Sequence, residues 1–419
     1  MFKYFSVLAL ILTLLTSCDL ANPPPKNNSK KTTKNEEQSI DLSYKDLVIA
    51  NNTFAFDLYA LLKINPNENV LFSPYSASAA LVMTALGAKR ETWEEMQHTL
   101  HWTDGPLELA KAQKALNQHL LQTNSDSLTL SIANALWAQK HYPLLPSFLK
   151  LISSDKLGKV FSVDFKDSEV DVASLINQWA KKNTEERIFN LITKEDIEPS
   201  TNLVLTNALY LKASWEQTFL KDNTQQAPFF LNTTEITSVE MMQQTSSFPL
   251  FQDSNLSIIE LPYSASFGYY ILLPKQQDGL SKLEENLSSV FVEQLLTKLK
   301  IKPVSLSMPR FKISSHIDMN NALKALGMDL PFSTDADFSG IDGNQNLFLS
   351  KVLQSTWIAV DEEGTESASA TASIMNLKAM RTEPQELIVN HPFIFLIIHK
   401  DSGSILFLGR IVNPLLGEN

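Results

Sequence analysis

From Gly364 to Ser373, nine of ten consecutive residues are small, Glu366 being the exception, and no proline interrupts the chain before Pro384. With no large apolar side chain to anchor it, a flexible exposed linker accounts for the composition of this run. Its order says more. Laid out as a strand, Thr365, Ser367, Ser369 and Thr371 share one face, while Glu366, Ala368, Ala370 and Ala372 share the other. The single charge is therefore confined to one face, and the opposite face is uncharged and β-compatible. Such a segment suits an exposed loop in one state and a sheet strand in another. It follows a strand-like Trp357-Ile358-Ala359-Val360 and an acidic Asp361-Glu362-Glu363, and it gives way to His391-Pro392.

The rest of the chain supplies material for a large core, since 44% of its 419 residues are hydrophobic. Leu47, Phe54, Leu58 and Leu61 fall on one helical face that ends before Asn65-Pro66. Helical spacing returns over 175–192, and strand-like runs occupy 203–211, 304–308 and 388–398. The last thirty residues read as a hairpin, with strands over 393–398 and 405–412 joined at Asp401-Ser402-Gly403-Ser404. Helices and strands are interleaved without a βαβ rhythm. No repeat and no compositional break divides 47–414, which predicts one α+β domain over 44–419.

Several classes of function are excluded. The chain carries 46 acidic and 35 basic residues, a net charge of −11, and no Lys/Arg cluster longer than two. Nucleic-acid binding needs a basic stripe and is not expected. One cysteine rules out disulfides within the chain, zinc fingers and Cys-x-x-Cys redox chemistry. Gly-x-Ser-x-Gly, His-Glu-x-x-His, Gly-x-Gly-x-x-Gly and Walker patterns are absent, so no enzyme and no cofactor are expected. His98 and His101 read as solvated surface groups, and no metal site is expected. Asp335-Ala336-Asp337-Phe338-Ser339-Gly340 imitates a calcium loop, but its twelfth position is Asn346 where a bidentate Glu is required.

At the N-terminus Lys3 precedes a mostly apolar run over 5–15, followed by Thr16, Ser17 and Cys18. Eleven residues are too few to span a bilayer, which takes about 20. Leu15-Thr16-Ser17-Cys18 looks like a bacterial lipobox, cut before Cys18 so that the thiol takes a diacylglycerol; two or three acyl chains anchor stably. Residues 1–17 are then a lipoprotein signal peptide, and 18–43, with Pro23-Pro24-Pro25 and a polar mixture, a flexible tether reaching about 25–30 Å. An exported bacterial lipoprotein at the periplasmic or cell surface is expected. The alternative is secretion after an ordinary signal, with Asn-x-Ser/Thr acceptors at Asn27, Asn51, Asn232, Asn255 and Asn286.

Five separated motifs carry a resemblance that covers about 47–414. They are Asn69-Val70-Leu71-Phe72-Ser73-Pro74-Tyr75-Ser76, Thr206-Asn207-Ala208-Leu209-Tyr210 with Trp215, Ala336-Asp337-Phe338-Ser339-Gly340, Glu362-Glu363-Gly364-Thr365-Glu366, and His391-Pro392-Phe393 with Phe407-Leu408-Gly409-Arg410. In this order they resemble the serpin family. The resemblance implies three β-sheets, eight or nine helices and a protruding reactive loop over about 362–390. A target protease, serine in type with cysteine proteases as a second class, attacks that loop. The cut loop then inserts into the main sheet and traps the acyl-enzyme.

In the family that the chain resembles, the reactive bond follows the hinge glycine by fourteen residues, which from Gly364 implies a bond between Lys378 and Ala379. Lys378 suits trypsin-like or Lys-specific targets. Arg381 competes at the cost of an arm three residues longer, and Met380 or Leu377 would serve chymotrypsin-like enzymes. The hinge would comprise Glu362, Glu363, Gly364, Thr365, Glu366, Ser367, Ala368, Ser369 and Ala370, Ser367 standing where the family most often has Ala. Ser73, Ser76 and Asn207 match the shutter beneath the main sheet, with Gln354 in place of the usual His; a working but altered shutter follows, because Gln both donates and accepts. Glu362 would pair with Arg310, often Lys in the family, beside Trp215 in the breach. Residues 103–125 carry only Lys111 and Lys114 as bases, so no heparin activation is expected, and the chain is expected to act as a monomer. The alternative is a non-inhibitory serpin acting as a binding or chaperone module, against which the small, proline-free hinge speaks.

Overall fold

Strand runs rich in β-branched and aromatic residues pair into two hydrogen-bonded sheets in the structure, a computed structural model that describes residues 44–154, 157–167, 171–198, 200–365 and 383–417. One sheet has six strands in the order Phe311–Asp318, Leu349–Val360, Gly364–Thr365, Leu203–Ser214, Leu128–Gln139 and Lys159–Val163. Leu349–Val360 and Leu203–Ser214 pair directly and in parallel from Leu349 opposite Leu203 up to Thr356 opposite Leu209. Beyond Thr356 they part. Gly364–Thr365 lies in the opening, antiparallel to both, with Thr365 opposite Val360 on one side and Ala213 on the other.

The second sheet runs Val70–Phe72, Ser404–Ile411, Phe393–His399, Phe267–Pro274, Leu256–Pro262, Ile236–Gln252, Lys300–Pro309 and Gln385–Ile388, with Gln225–Phe230 also on Ile236–Gln252. The serpin resemblance implied three sheets. Two of them are continuous here because the 17-residue strand Ile236–Gln252 bonds Gln225–Phe230 at its start and Leu256–Pro262 at its end. Ten α-helices occur among the described residues; one of them, Ser339–Asp342, is a single turn.

Between the six-stranded sheet and the hairpin of Phe393–His399 and Ser404–Ile411 lies the helix Pro74–Ala85, buried at every position. It starts where Ser73, in extended conformation, accepts a bond from Ser76 N at 3.2 Å and Pro74 occupies the first turn. Its Ser and Ala side chains allow this close approach. The opening helix runs Lys45–Leu62 and buries Leu47, Phe54 and Leu58, as their spacing requires. Among the described residues no helix is long and apolar enough to cross a membrane.

Two expected elements differ. The helical spacing of 175–192 yields a helix only over Val172–Asn183, because the chain turns through Glu185 and Glu186 at positive φ. The strand-like run 388–398 is divided. Gln385–Ile388 lies parallel to Lys300–Pro309, whereas Phe393–His399 joins the hairpin, and Pro392 between them has no N–H for a continuous ladder.

Arg410, 1% exposed, closes the end of the hairpin. Its guanidinium donates to Asn65 O at 2.6 Å, Glu68 O at 2.8 Å and Glu284 Oε1 at 3.2 Å. One side chain thus ties the loop after the first helix to the hairpin and to the helix Leu280–Glu285. Arg410→Met should lower unfolding stability by about 3–5 kcal/mol, since it removes the buried cation beside the Glu284 carboxylate, which keeps the Tyr59 hydroxyl, and takes the guanidinium donors from the carbonyls of Asn65 and Glu68. The midpoint of urea unfolding reads this directly; an unchanged midpoint would remove Arg410 from the structural account.

Candidate functional site

The opening at the top of the six-stranded sheet is built by a tight reversal after Val360. Asp361 Oδ1 accepts the amides of Glu363 at 2.9 Å and Gly364 at 3.2 Å, and Asp361 N donates to Gly364 O at 3.0 Å. Burial raises the Asp361 carboxyl above its ordinary pKa, and the two amide bonds oppose the rise. Gly364 sits at φ +152°, and a Cβ there would fall 2.1 Å from Ala213 O. Only glycine lets the backbone pass that close.

Trp215 and its neighbours hold the reversal in the opening. Trp215 N donates to Glu363 O at 3.0 Å, Phe219 N to Glu362 O at 2.8 Å, and the Trp215 indole N–H to Asp361 O at 2.9 Å. The Trp215 ring stacks on Tyr263 at 4.6 Å, and the Tyr263 hydroxyl bonds Thr365 Oγ1. The Glu362 side chain is 4% exposed and accepts the Thr224 hydroxyl at 2.7 Å, with Arg310 at 3.8 Å. Arg310 is 39% exposed and also faces Glu240 at 3.4 Å, so water weakens its attraction for Glu362. Glu363 pairs with Lys221 at 2.7 Å.

The structure therefore brings Glu362, Arg310 and Trp215 together, and it adds Asp361, Thr224, Lys221 and Tyr263, which sequence reasoning missed. Of these only Asp361 left a signal, an Asp three residues before a Gly at a chain reversal. Thr365, the first residue of the uncharged set, is buried at 1% exposure.

Lower in the same sheet, Ser73, Ser76, Asn207 and Gln354 converge, all buried. Gln354 Oε1 accepts Ser73 N at 2.8 Å, and Gln354 Nε2 donates to Ser73 O at 2.9 Å and Asn207 Oδ1 at 3.1 Å. Asn207 Nδ2 donates to Ser76 Oγ at 2.6 Å and to Asn134 Oδ1 at 2.5 Å. Asn134 is a further member that no motif announced. Gln354 and Asn207 face each other across the two parallel strands, so parting those strands at this level breaks their bond.

Glu366, Ser367, Ala368, Ser369, Ala370, Leu377, Lys378, Ala379, Met380, Arg381 and Cys18 lie outside the described residues. His101 bonds Asp57 at 2.6 Å. Asp337 faces Arg90 at 3.5 Å and accepts from Ser339 and Gln345, so it braces its own loop. Asn51 is 1% exposed and accepts the Ser78 hydroxyl at 2.6 Å, which removes it as a glycosylation acceptor in the folded chain.

A parted sheet with a seated turn, above a buried polar network, is the arrangement of a protein class that comparison identifies. The family model described as Serpin (serine protease inhibitor) matches residues 49–414. The leukocyte elastase inhibitor of Bos taurus is 37% identical over 380 residues, covering 88% of this chain and all of that protein. An uncharacterised serpin-like protein of Thermococcus kodakarensis is 36% identical, covering 88% of this chain and 86% of its own length. Human thyroxine-binding globulin has a similar structure, with TM-score 0.83 and 29% identity over 89% of this chain and all of that one. Uncleaved ovalbumin gives TM-score 0.80 and 27% identity over 88% of this chain and all of its own. The chain belongs to the serpin family.

Gln354→Ala should cost about 2–3 kcal/mol of stability by stranding Ser73 N, Ser73 O and Asn207 Oδ1, whereas Gln354→His, which keeps one donor and one acceptor, should cost less. Thermal unfolding of the two variants side by side checks the order; equal losses would mean that packing and not hydrogen bonding sets the preference at 354.

Proposed function

We propose that this chain is a suicide-substrate inhibitor of serine endopeptidases of the trypsin-like or Lys-specific kind. The observation that carries the reading is Gly364–Thr365, already seated antiparallel between two strands that are parallel to each other. A chain continuing from Thr365 along that line would form a full central strand. Leu203–Ser214 and Leu349–Val360 each have twelve residues, about 40 Å of sheet at 3.3 Å per residue. The arm from Thr365 to Lys378 matches that length.

The chemistry follows in order. The protease serine oxygen attacks the carbonyl carbon of Lys378, and the bond to Ala379 breaks with a proton going to the leaving amine. Lys378 remains as an ester on the protease. Insertion of the arm replaces one parallel ladder by two antiparallel ones, each new hydrogen bond contributing a net of about 0.5–1.5 kcal/mol. The tethered protease is carried to the far end of the sheet and its oxyanion donors, worth about 3 kcal/mol each, are pulled out of place. Water then fails to release the acyl group. A cysteine protease would be held as the thioester by the same movement. Cleavage after Arg381 instead leaves three residues of slack, and Met380 or Leu377 would admit chymotrypsin-like enzymes.

The proposal includes the anchor. Cleavage before Cys18, diacylglycerol on its thiol and the 18–43 tether would hold the inhibitor outside a bacterial membrane, at the periplasmic or cell surface. The support is the Leu15-Thr16-Ser17-Cys18 motif after its apolar run. Expressed in a bacterial host, the full chain should partition with membranes and Cys18→Ser should not; membrane retention of the variant would refute lipidation at this residue.

A binding role without inhibition is the second reading, favoured by the similarity to thyroxine-binding globulin. Equimolar trypsin mixed with the chain lacking residues 1–42, then boiled and run on a denaturing gel, separates the two. Inhibition predicts a covalent band at the summed mass and a 41-residue fragment beginning at Ala379. Complete cleavage without that band would transfer weight to the binding role, and a fragment beginning at Thr382 would move the bond to Arg381.

A further inference from the structure

Two imidazoles and a carboxylate that are distant in sequence meet at the turn of the C-terminal hairpin. His119 stands in the last turn of the helix Pro106–Leu121, His399 ends the strand Phe393–His399, and Asp401 lies on the turn that follows. One ligand atom from each lies within 4.8 Å of the other two. The His399 side chain is completely buried, and its Nε2 is 4.0 Å from Asp401 Oδ2. Neither His399 Nε2 nor His119 Nε2 has a hydrogen-bond partner, although both atoms are buried. The two rings meet edge to face at 5.0 Å, with Tyr44 stacked on His119 and Phe267 packed against His399.

Buried polar nitrogens are ordinarily satisfied, and two orphaned ones facing a carboxylate have a common remedy. Whichever tautomer His399 adopts, its Nε2 presents either a bare lone pair or an unaccepted N–H. We propose that His119, His399 and Asp401 bind a single Zn2+ ion, with water in the fourth position. Two imidazoles and one carboxylate are a zinc donor set, and hard cations such as Ca2+ or Mg2+ require oxygen throughout. Zinc bonds of 2.0–2.2 Å place tetrahedral ligand atoms about 3.4 Å apart, so the group must contract by a little over 1 Å. Asp401, 58% exposed on a turn with Gly403 at φ +75°, can close its 4.0 Å gap to His399 Nε2, and the His119 ring in the last turn of its helix must close the rest.

Ser402 holds the ring of His399 in place. Its Nδ1 lies 2.9 Å from Ser402 Oγ, which the Ser404 amide also approaches at 3.2 Å, and Nδ1 accepts the Ser402 amide at 3.3 Å. Metal binding requires the other tautomer, in which Nδ1–H donates to Ser402 Oγ and Nε2 turns its lone pair to the ion. The ion would clamp the end of the helix Pro106–Leu121 to the hairpin. The three groups lie apart from the reactive loop and its hinge, and spacing along the chain, which predicts no metal site, is blind to their meeting.

The test uses the full chain, stripped with EDTA and dialysed, then titrated with ZnCl2 by calorimetry and followed by thermal unfolding. One equivalent should bind, raise the unfolding temperature and lose that gain on adding EDTA. His119→Gln and Asp401→Asn, both outside the deepest core, should each weaken binding at least about tenfold, as loss of a ligand requires. His101→Gln, at the separate pair with Asp57, should leave it unchanged. Co2+ in place of Zn2+ should give the visible absorption of a tetrahedral ion with nitrogen ligands. Absence of saturable binding, or binding lost in His101→Gln but kept in His119→Gln and Asp401→Asn, would overturn the site.

Discussion

Two strands that pair in parallel at one end and separate at the other set the terms for the rest of this molecule. Parallel ladders leave no natural hairpin between their strands, and here the opening is entered by the chain folding back after Val360. In an empty opening the amides of Trp215 and Asp361 would lose their acceptors, Glu363 O and Gly364 O, which the turn supplies. The turn that seats Gly364–Thr365 is therefore part of the sheet and not merely attached to it. Asp361, Gly364 and the Trp215–Tyr263 stack serve that one placement.

The polar groups beneath the sheet oppose the same separation from below. Gln354 and Asn207 lie at paired positions on the two strands and are joined through Ser73 and Ser76 to the buried helix Pro74–Ala85. A fully apolar contact there would pack as well but would have no directional bonds to exchange. In the proposed mechanism this matters, because side-chain amides and hydroxyls can find new partners on an incoming strand, whereas a sealed apolar seam offers none. Glutamine meets the requirement with one oxygen and one nitrogen, both already engaged on two sides.

Much of this was legible in residues whose neighbours lie close along the chain. The burial of Leu47, Phe54 and Leu58 followed from helical spacing, and the terminal hairpin from two apolar runs around Asp401-Ser402-Gly403-Ser404. Spacing over 175–192 overstates the helix because apolar positions continue past Asn183 while the backbone at Glu185 and Glu186 turns away. The run 388–398 looks like one strand because its apolar residues serve two different neighbours on either side of Pro392. Thr224, Lys221, Tyr263 and Asn134 were invisible for a third reason: each is one polar residue among many until the fold sets a partner opposite it.

The sequence by itself carried the motifs of the family and an alternation after Gly364 with its one charge on a single face, and through the family resemblance it pointed to Glu362, Arg310 and Trp215, since motifs and alternation depend on residue type at fixed positions along the chain. Only the tertiary structure decided where the two central strands part, that Thr365 is buried between them, and that His119, His399 and Asp401 come within reach of one another. Those facts depend on strand register and on distances between segments far apart in the chain, and local pattern carries no term for either.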